Sequence, residues 1–175
     1  MAIILPTSKI PAKTQDPKRL IIFSKPKRGK TTALAALPNG LIVDTERGSD
    51  YLDALKVQIN SIADINELCK ALKEANYPYD FIAIDTITML EEVCKPLALK
   101  LYQATPAGAN FNGEITSAPN GAGWGFLRQG VEMVIDKIES CTKNLILVCH
   151  CKDAAIDKSE LTIKQIDLSG KIFVC

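Results

Sequence analysis

No run of apolar residues in the 175-residue chain is long enough to cross a bilayer. The expected partners therefore include no membrane. The apolar start, residues 1–5, is cut by Pro6 before it reaches the length of a secretion-signal core. The expected compartment is the cytoplasm. No segment repeats, which excludes a solenoid or a propeller. The six cysteines (69, 94, 141, 149, 151 and 175) contain no CxxC pair, and there is a single histidine, His150. Cys149 and Cys151 bracket that histidine, but in an extended segment residues i and i+2 share a face while the residue between them points away. One CxC without a second pair is a poor zinc signal. Reduced thiols that pack as small hydrophobes are the expectation.

A strong net charge is lacking too, at +1, yet the charge is unevenly spread. Residues 1–32 carry Lys9, Lys13, Lys18, Arg19, Lys25, Lys27, Arg28 and Lys30 against one acid, Asp16, so the rest of the chain is net acidic. A basic end can be a polyanion-binding arm. Equally, half of these cations belong to the loop described below and the others to a solvated leader.

What is present is alternation. Apolar residues make up 47% and charged residues 23%, ordinary for a globular chain of one domain. Residues 1–18 read as a basic leader or linker and 19–175 as the core. Short continuous apolar runs at 20–23, 41–43, 81–84 and 145–148 predict strands buried on both faces. Between them, helical patterns run over 31–37, stopped by Pro38-Asn39-Gly40, and from Asp64, where Asp64 and Glu67 match a capping box. Two more run over about 88–102, with Pro96 expected to kink the helix, and through Leu127, Val131, Val134, Ile135 and Ile138. Strand and helix in alternation predict an α/β fold with a mostly parallel sheet and helices on both faces. Residues 103–123 have no period and predict a long structureless loop. Residues 161–168 predict a further strand. The apolar finish at 171–175, with no cap or polar tail, raises the expectation of a chain truncated at its C-terminus.

The strongest chemical signal is Ser24-Lys25-Pro26-Lys27-Arg28-Gly29-Lys30-Thr31-Thr32, between a buried strand and a helix. In that setting successive backbone N–H groups form an anion cradle. Lys30 can reach the β- and γ-phosphates of ATP, and the Thr31 hydroxyl can complete a Mg²⁺ shell. Ser24 stands where such loops usually begin with glycine, and its Cβ disfavours a positive φ. Asp85 closes the apolar strand 81–84 and is the expected acid for Mg²⁺ and its water. Past the second strand, Asp44-Thr45-Glu46 brings carboxylates to the same sheet edge, where open α/β sheets bind ligands. Glu46 can orient an attacking water; alternatively, Asp44 or Glu46 caps the next helix. His150 ends the strand 145–148 and is either a γ-phosphate sensor or a satisfied strand-end histidine.

In this order, SKPKRGKTT, LIVDTERGS, FIAIDT, a Gly-rich loop and LILVCH, residues 19–172 resemble the RecA-like P-loop ATPases, and most closely the phage-encoded ones of single-strand annealing and recombination. The resemblance implies ATP hydrolysis with Mg²⁺, catalysis by Glu46 and Lys30, and a sensor at His150. It also implies single-stranded DNA as partner, a homo-oligomer with its site between subunits, and location in the host cytoplasm. Two DNA-binding loops would fall on about 103–123 and 151–160, with Phe111, Lys152 and Lys158 as contacts. Lys152 and Lys171 would be candidates to complete a neighbour's site.

Three other readings stay open. A partition-type ATPase has a lysine at the place of Lys25, but glycines at the places of Pro26 and Lys27 and Asp-Pro-Gln in place of Glu46-Arg47-Gly48. A small-molecule kinase needs an arginine-rich lid, and 103–123 has neither Arg nor Lys. A nucleotide-dependent scaffold without turnover differs only in what Glu46 does.

Overall fold

Four of the continuous apolar runs lie side by side in the computed structural model, which describes residues 18–155 and 162–166. They are β1 (Arg19–Ser24), β2 (Gly40–Asp44), β4 (Phe81–Asp85) and β5 (Leu145–Ala155). With the short β3 (Lys56–Gln58) they form a parallel sheet in the order β1-β5-β4-β2-β3, and β6 (Thr162–Ile166) adds antiparallel to the far half of β5. The strands β2, β4 and β5 are covered on both faces, which is why they read as unbroken apolar runs. Strand β1 is not, since Leu20 and Phe23 stay about half exposed, so the expected burial of 20–23 on both faces is corrected. One set of alternate residues, with Val43, Ile84 and Leu147, faces the larger core. That core is completed by α2 (Ile62–Glu74), α3 (Ile87–Gln103) and α4 (Ala122–Glu139). The other set, with Ile42, Ala83 and Val148, packs against Leu34 of α1 (Lys30–Ala35).

Helices α3 and α4 form an antiparallel hairpin. Gly130 packs on Ala98 and Cys94, while Phe126 meets Tyr102 with ring centroids 5.3 Å apart. Pro96 lies inside α3 without ending it. None of the helices among the described residues is long and apolar enough to cross a membrane.

Several expectations are corrected. Helix α2 starts two residues early, because its capping box is Ser61 with Asp64: the Ser61 hydroxyl accepts from Asp64 N and the Asp64 carboxylate accepts from Ser61 N. Strand β3 carries a single apolar residue, Val57, and so gave no run to detect. Residues 103–123 are built, not structureless. Ile115 is buried, and Gly123 sits so close to its carbonyl that a Cβ would come within 1.7 Å of the oxygen. Short 3₁₀ turns at Ile115–Ser117 and Pro119–Gly121 complete the segment. Burial there depends on isolated small residues, which leave no period to read. The expected second loop at 151–160 is strand as far as Ala155, paired with β6 from Cys151↔Ile166 to Ala155↔Thr162. The leader to residue 17, Lys158, Lys171 and Cys175 lie outside the described residues.

Candidate functional site

Four strand ends reach one edge of the sheet in register: Ser24 opposite His150, Val148 opposite Asp85, and Asp85 opposite Asp44. The loops leaving that edge bring together most of the chemistry anticipated from the sequence.

After β1 the chain turns through Lys27 (φ 59°) and Gly29 (φ 80°), and Gly29 is the N-cap of α1. Those two positions take the left-handed backbone; Ser24 does not, since it is the last residue of the strand. The expected penalty on a non-glycine at 24 therefore does not arise. The Ser24 hydroxyl instead accepts from Lys30 Nζ at 3.1 Å and donates to the Lys25 carbonyl at 3.0 Å. Lys30 also donates to the carbonyls of Ser24 and Lys25, both at 3.2 Å, which folds its ammonium over the loop.

Thr31 follows and donates its hydroxyl to Asp85 Oδ2. Asp85 is 6% exposed. Burial pushes its pKa up, the Thr31 hydroxyl counters, and the charges of Glu46 and Asp44 push further up; the net is above the ordinary carboxylate range.

Asp44 and Glu46 have opposite fates. Asp44 turns inward, and its carboxylate accepts from the backbone N–H groups of Glu46, Gly48 and Ser49 and from the Ser49 hydroxyl. Burial would raise its pKa, but the hydrogen bonds from Ser49 and the neighbouring backbone outweigh it and hold the carboxyl below its usual value. Lys56 ties down the same loop by donating to the carbonyls of Ser49 and Leu52. Neither acid caps a helix; Ser61 caps the next one.

With Asp44 holding the turn, Glu46 points to the cleft. Its carboxylate accepts from the Thr86 hydroxyl and lies 3.1 and 3.2 Å from His150 Nε2. His150 Nδ1 is 3.4 Å from Lys30 Nζ. An ammonium has no acceptor, so Nδ1 is the accepting nitrogen and Nε2–H donates to Glu46. Lys30, His150, Glu46 and Thr86 thus form one chain of contacts across the strand ends.

The cleft enclosed is about 530 Å³, lined by Pro26, Lys27, Arg28, Gly29, Lys30, Thr31 and Thr32 on one side and by Glu46, Asp85 and His150 on the other. Gly48, Tyr51 and Leu52 line it as well. Sequence reasoning passed over Tyr51, which is 97% exposed, because one aromatic in a polar loop belongs to no pattern. Lys25 contributes its carbonyl to Lys30 and does not line the cleft.

Phe111 is not among the residues that line this cleft. Phe111 packs edge-to-face on Tyr102, with centroids 5.3 Å apart, and its carbonyl accepts from Gln103. Its ring is partly buried against the larger core. The exposed aromatic of the same hairpin is Trp124, at the start of α4. Lys152 lies in β5, opposite Gln165.

Among the described residues no group of three or more His, Cys, Asp or Glu could hold a metal by protein ligands alone. A hydroxyl paired to a buried, charge-crowded carboxylate, Thr31 with Asp85, suits a hard cation that takes its remaining ligands from phosphate and water.

A family model described as an AAA domain matches residues 16–173. Among curated proteins nothing matches the chain.

Proposed function

We infer the function from one premise: the chain belongs to the AAA-domain family, whose model matches residues 16–173. It is a P-loop domain of the nucleotide-binding ATPase kind. We propose that the nucleotide is ATP, taken with Mg²⁺, and that the site hydrolyses it. The observation that carries the reading is the convergence of Lys30, the Thr31–Asp85 pair, Glu46 and His150 on one cleft at the strand ends.

Each side chain has a role that its surroundings support. Lys30 exchanges backbone carbonyls for the β- and γ-phosphate oxygens, a contact strengthened by charge. Thr31 and Asp85 would hold Mg²⁺, which would supply positive charge to the phosphates. Glu46 orients a water for in-line attack and accepts its proton. His150 touches both Lys30 and Glu46 and, from there, would sense the γ-phosphate. Tyr51, open at the rim, offers a flat surface to the base.

A wider role goes with this chemistry. We propose that turnover is coupled to single-stranded DNA in phage recombination or replication, by a homo-oligomer with its sites between subunits. The support is the resemblance of the motif order to phage recombination ATPases, together with the basic leader. Release of phosphate from ATP, measured with Mg²⁺ and with or without single-stranded DNA, tests both parts. Turnover that rises with DNA is expected. Nucleotide binding without turnover in either condition overturns the hydrolytic reading in favour of a nucleotide-dependent scaffold.

A further inference from the structure

Glu46 does not reach the cleft unaided. The Thr86 hydroxyl donates to Glu46 Oε1, and Thr86 is itself gripped from below. The Thr45 hydroxyl accepts from Thr86 N and donates to Thr86 O, both at 2.9 Å. Thr45 N in turn donates to the Asp85 carbonyl at 2.9 Å. The loop that carries Glu46 and the strand end that carries Asp85 are thus tied at three points besides the carboxylate contact. Thr86 also caps α3, accepting from Met89 N. Thr86 is 1% exposed, so its rotamer is held by packing as well as by hydrogen bonds.

We propose that Thr86 is a positioning residue for Glu46: its hydroxyl sets the direction in which the carboxylate faces the attacking water. The inference rests on the reading of Glu46 as the water-orienting group. Glu46 is a side chain with several rotamers on a loop. A donor on Oε1 and a second, His150 Nε2, within reach of both oxygens fix the plane of the carboxylate. A displacement of about 1 Å at such a group is enough to slow a reaction by two orders of magnitude. A residue acting in this way does not touch the nucleotide, so its loss should appear in turnover and leave binding alone.

The test is a double-mutant cycle in ATP hydrolysis, with nucleotide affinity measured separately by a fluorescent ATP analogue. Thr86→Val keeps the branched shape and removes the hydroxyl; Thr86→Ser keeps the hydroxyl. Thr86→Val should lower kcat by about 10–100-fold, the usual effect of losing a partner behind a functional group, with the dissociation constant unchanged. Thr86→Ser should stay within about threefold of wild type. In a Glu46→Gln background the valine should have almost no further effect, because the contact it removes no longer orients a base. If Thr86→Val melts below the assay temperature, Thr86→Ala and Thr86→Ser are compared in its place. The proposal is overturned if the hydroxyl-free variants hydrolyse ATP like wild type, or if they slow it by the same factor whether or not Glu46→Gln is also present. The same holds if they weaken nucleotide binding in proportion to the loss of turnover. Glu46→Gln turning over at the wild-type rate overturns the underlying reading instead, and is recognised without any Thr86 variant.

Discussion

Thr31 and Asp85, 54 positions apart in the chain, meet hydroxyl to carboxylate at the mouth of the cleft. The meeting joins the start of α1 to the end of β4, so a cation placed there would be held by two elements at once.

The environment of Asp85 predicts a stability cost at neutral pH. Its folded pKa is raised, so the folded protein holds that proton more tightly than the unfolded chain does. The ionised form therefore costs stability above the folded pKa, and the cost vanishes as pH falls below the ordinary carboxylate value. Asp85→Asn should raise the melting temperature of the nucleotide-free protein at neutral pH. It should also abolish the effect of Mg²⁺ on nucleotide affinity. A melt and a Mg²⁺ titration check the pair; a destabilised variant contradicts the argument.

Asp44 predicts the reverse. Its folded pKa is lowered, so its contribution is complete above the unfolded value and is lost as pH falls through the folded one. Asp44→Asn should cost about 1–3 kcal/mol, because the Ser49 hydroxyl and three backbone N–H groups lose their charged acceptor. Denaturant melts of both forms at neutral and acid pH should converge at the acid end.

Lys30→Ala should weaken ATP binding by about 100-fold while leaving the fold intact, since its present partners are two carbonyls, a hydroxyl and a ring nitrogen that solvent can replace. Titration with a fluorescent analogue measures it. Unchanged affinity in a folded variant would contradict the role given to the loop.

Glu46→Gln should bind ATP normally and turn it over about 10²–10⁴-fold more slowly. Single-turnover hydrolysis separates this from a defect in product release. Turnover near the wild-type rate would mean that another group orients the water.

The elements legible in the sequence were those with a strong local signature. The strands that line up Asp44, Asp85 and His150 are continuous apolar runs because these parallel strands are buried on both faces. The run before Ser24 is as apolar but leaves Leu20 and Phe23 exposed. Gly29-Lys30-Thr31 was recognisable for its setting between strand and helix. The residues behind them were not. Asp44 ends β2 and Glu46 follows two positions on, and only their hydrogen bonds distinguish the acid that holds the turn from the acid that faces the cleft. The contact of Thr86 with Glu46 spans 40 positions and follows no periodicity. For Ser24 the family habit of a glycine misled, since the positive φ falls at Lys27 and Gly29. The contact of Phe111 was not legible either: nothing in a Gly-rich segment marks an aromatic that meets Tyr102 edge to face.

The place of β1 in the sheet sets a timetable for synthesis. Among the described residues β1 is bonded within the sheet only to β5, and Lys30 is 120 positions ahead of His150. A ribosome adding about 5–20 residues per second releases the phosphate loop roughly 6–24 s before the strand that flanks it. In that interval the loop exists as sequence but has no neighbouring strand to set its backbone. On the proposed function, nucleotide capture by the nascent chain would wait until β5 has emerged, and a ribosome stalled short of Leu145 would display the loop motif without that strand beside it.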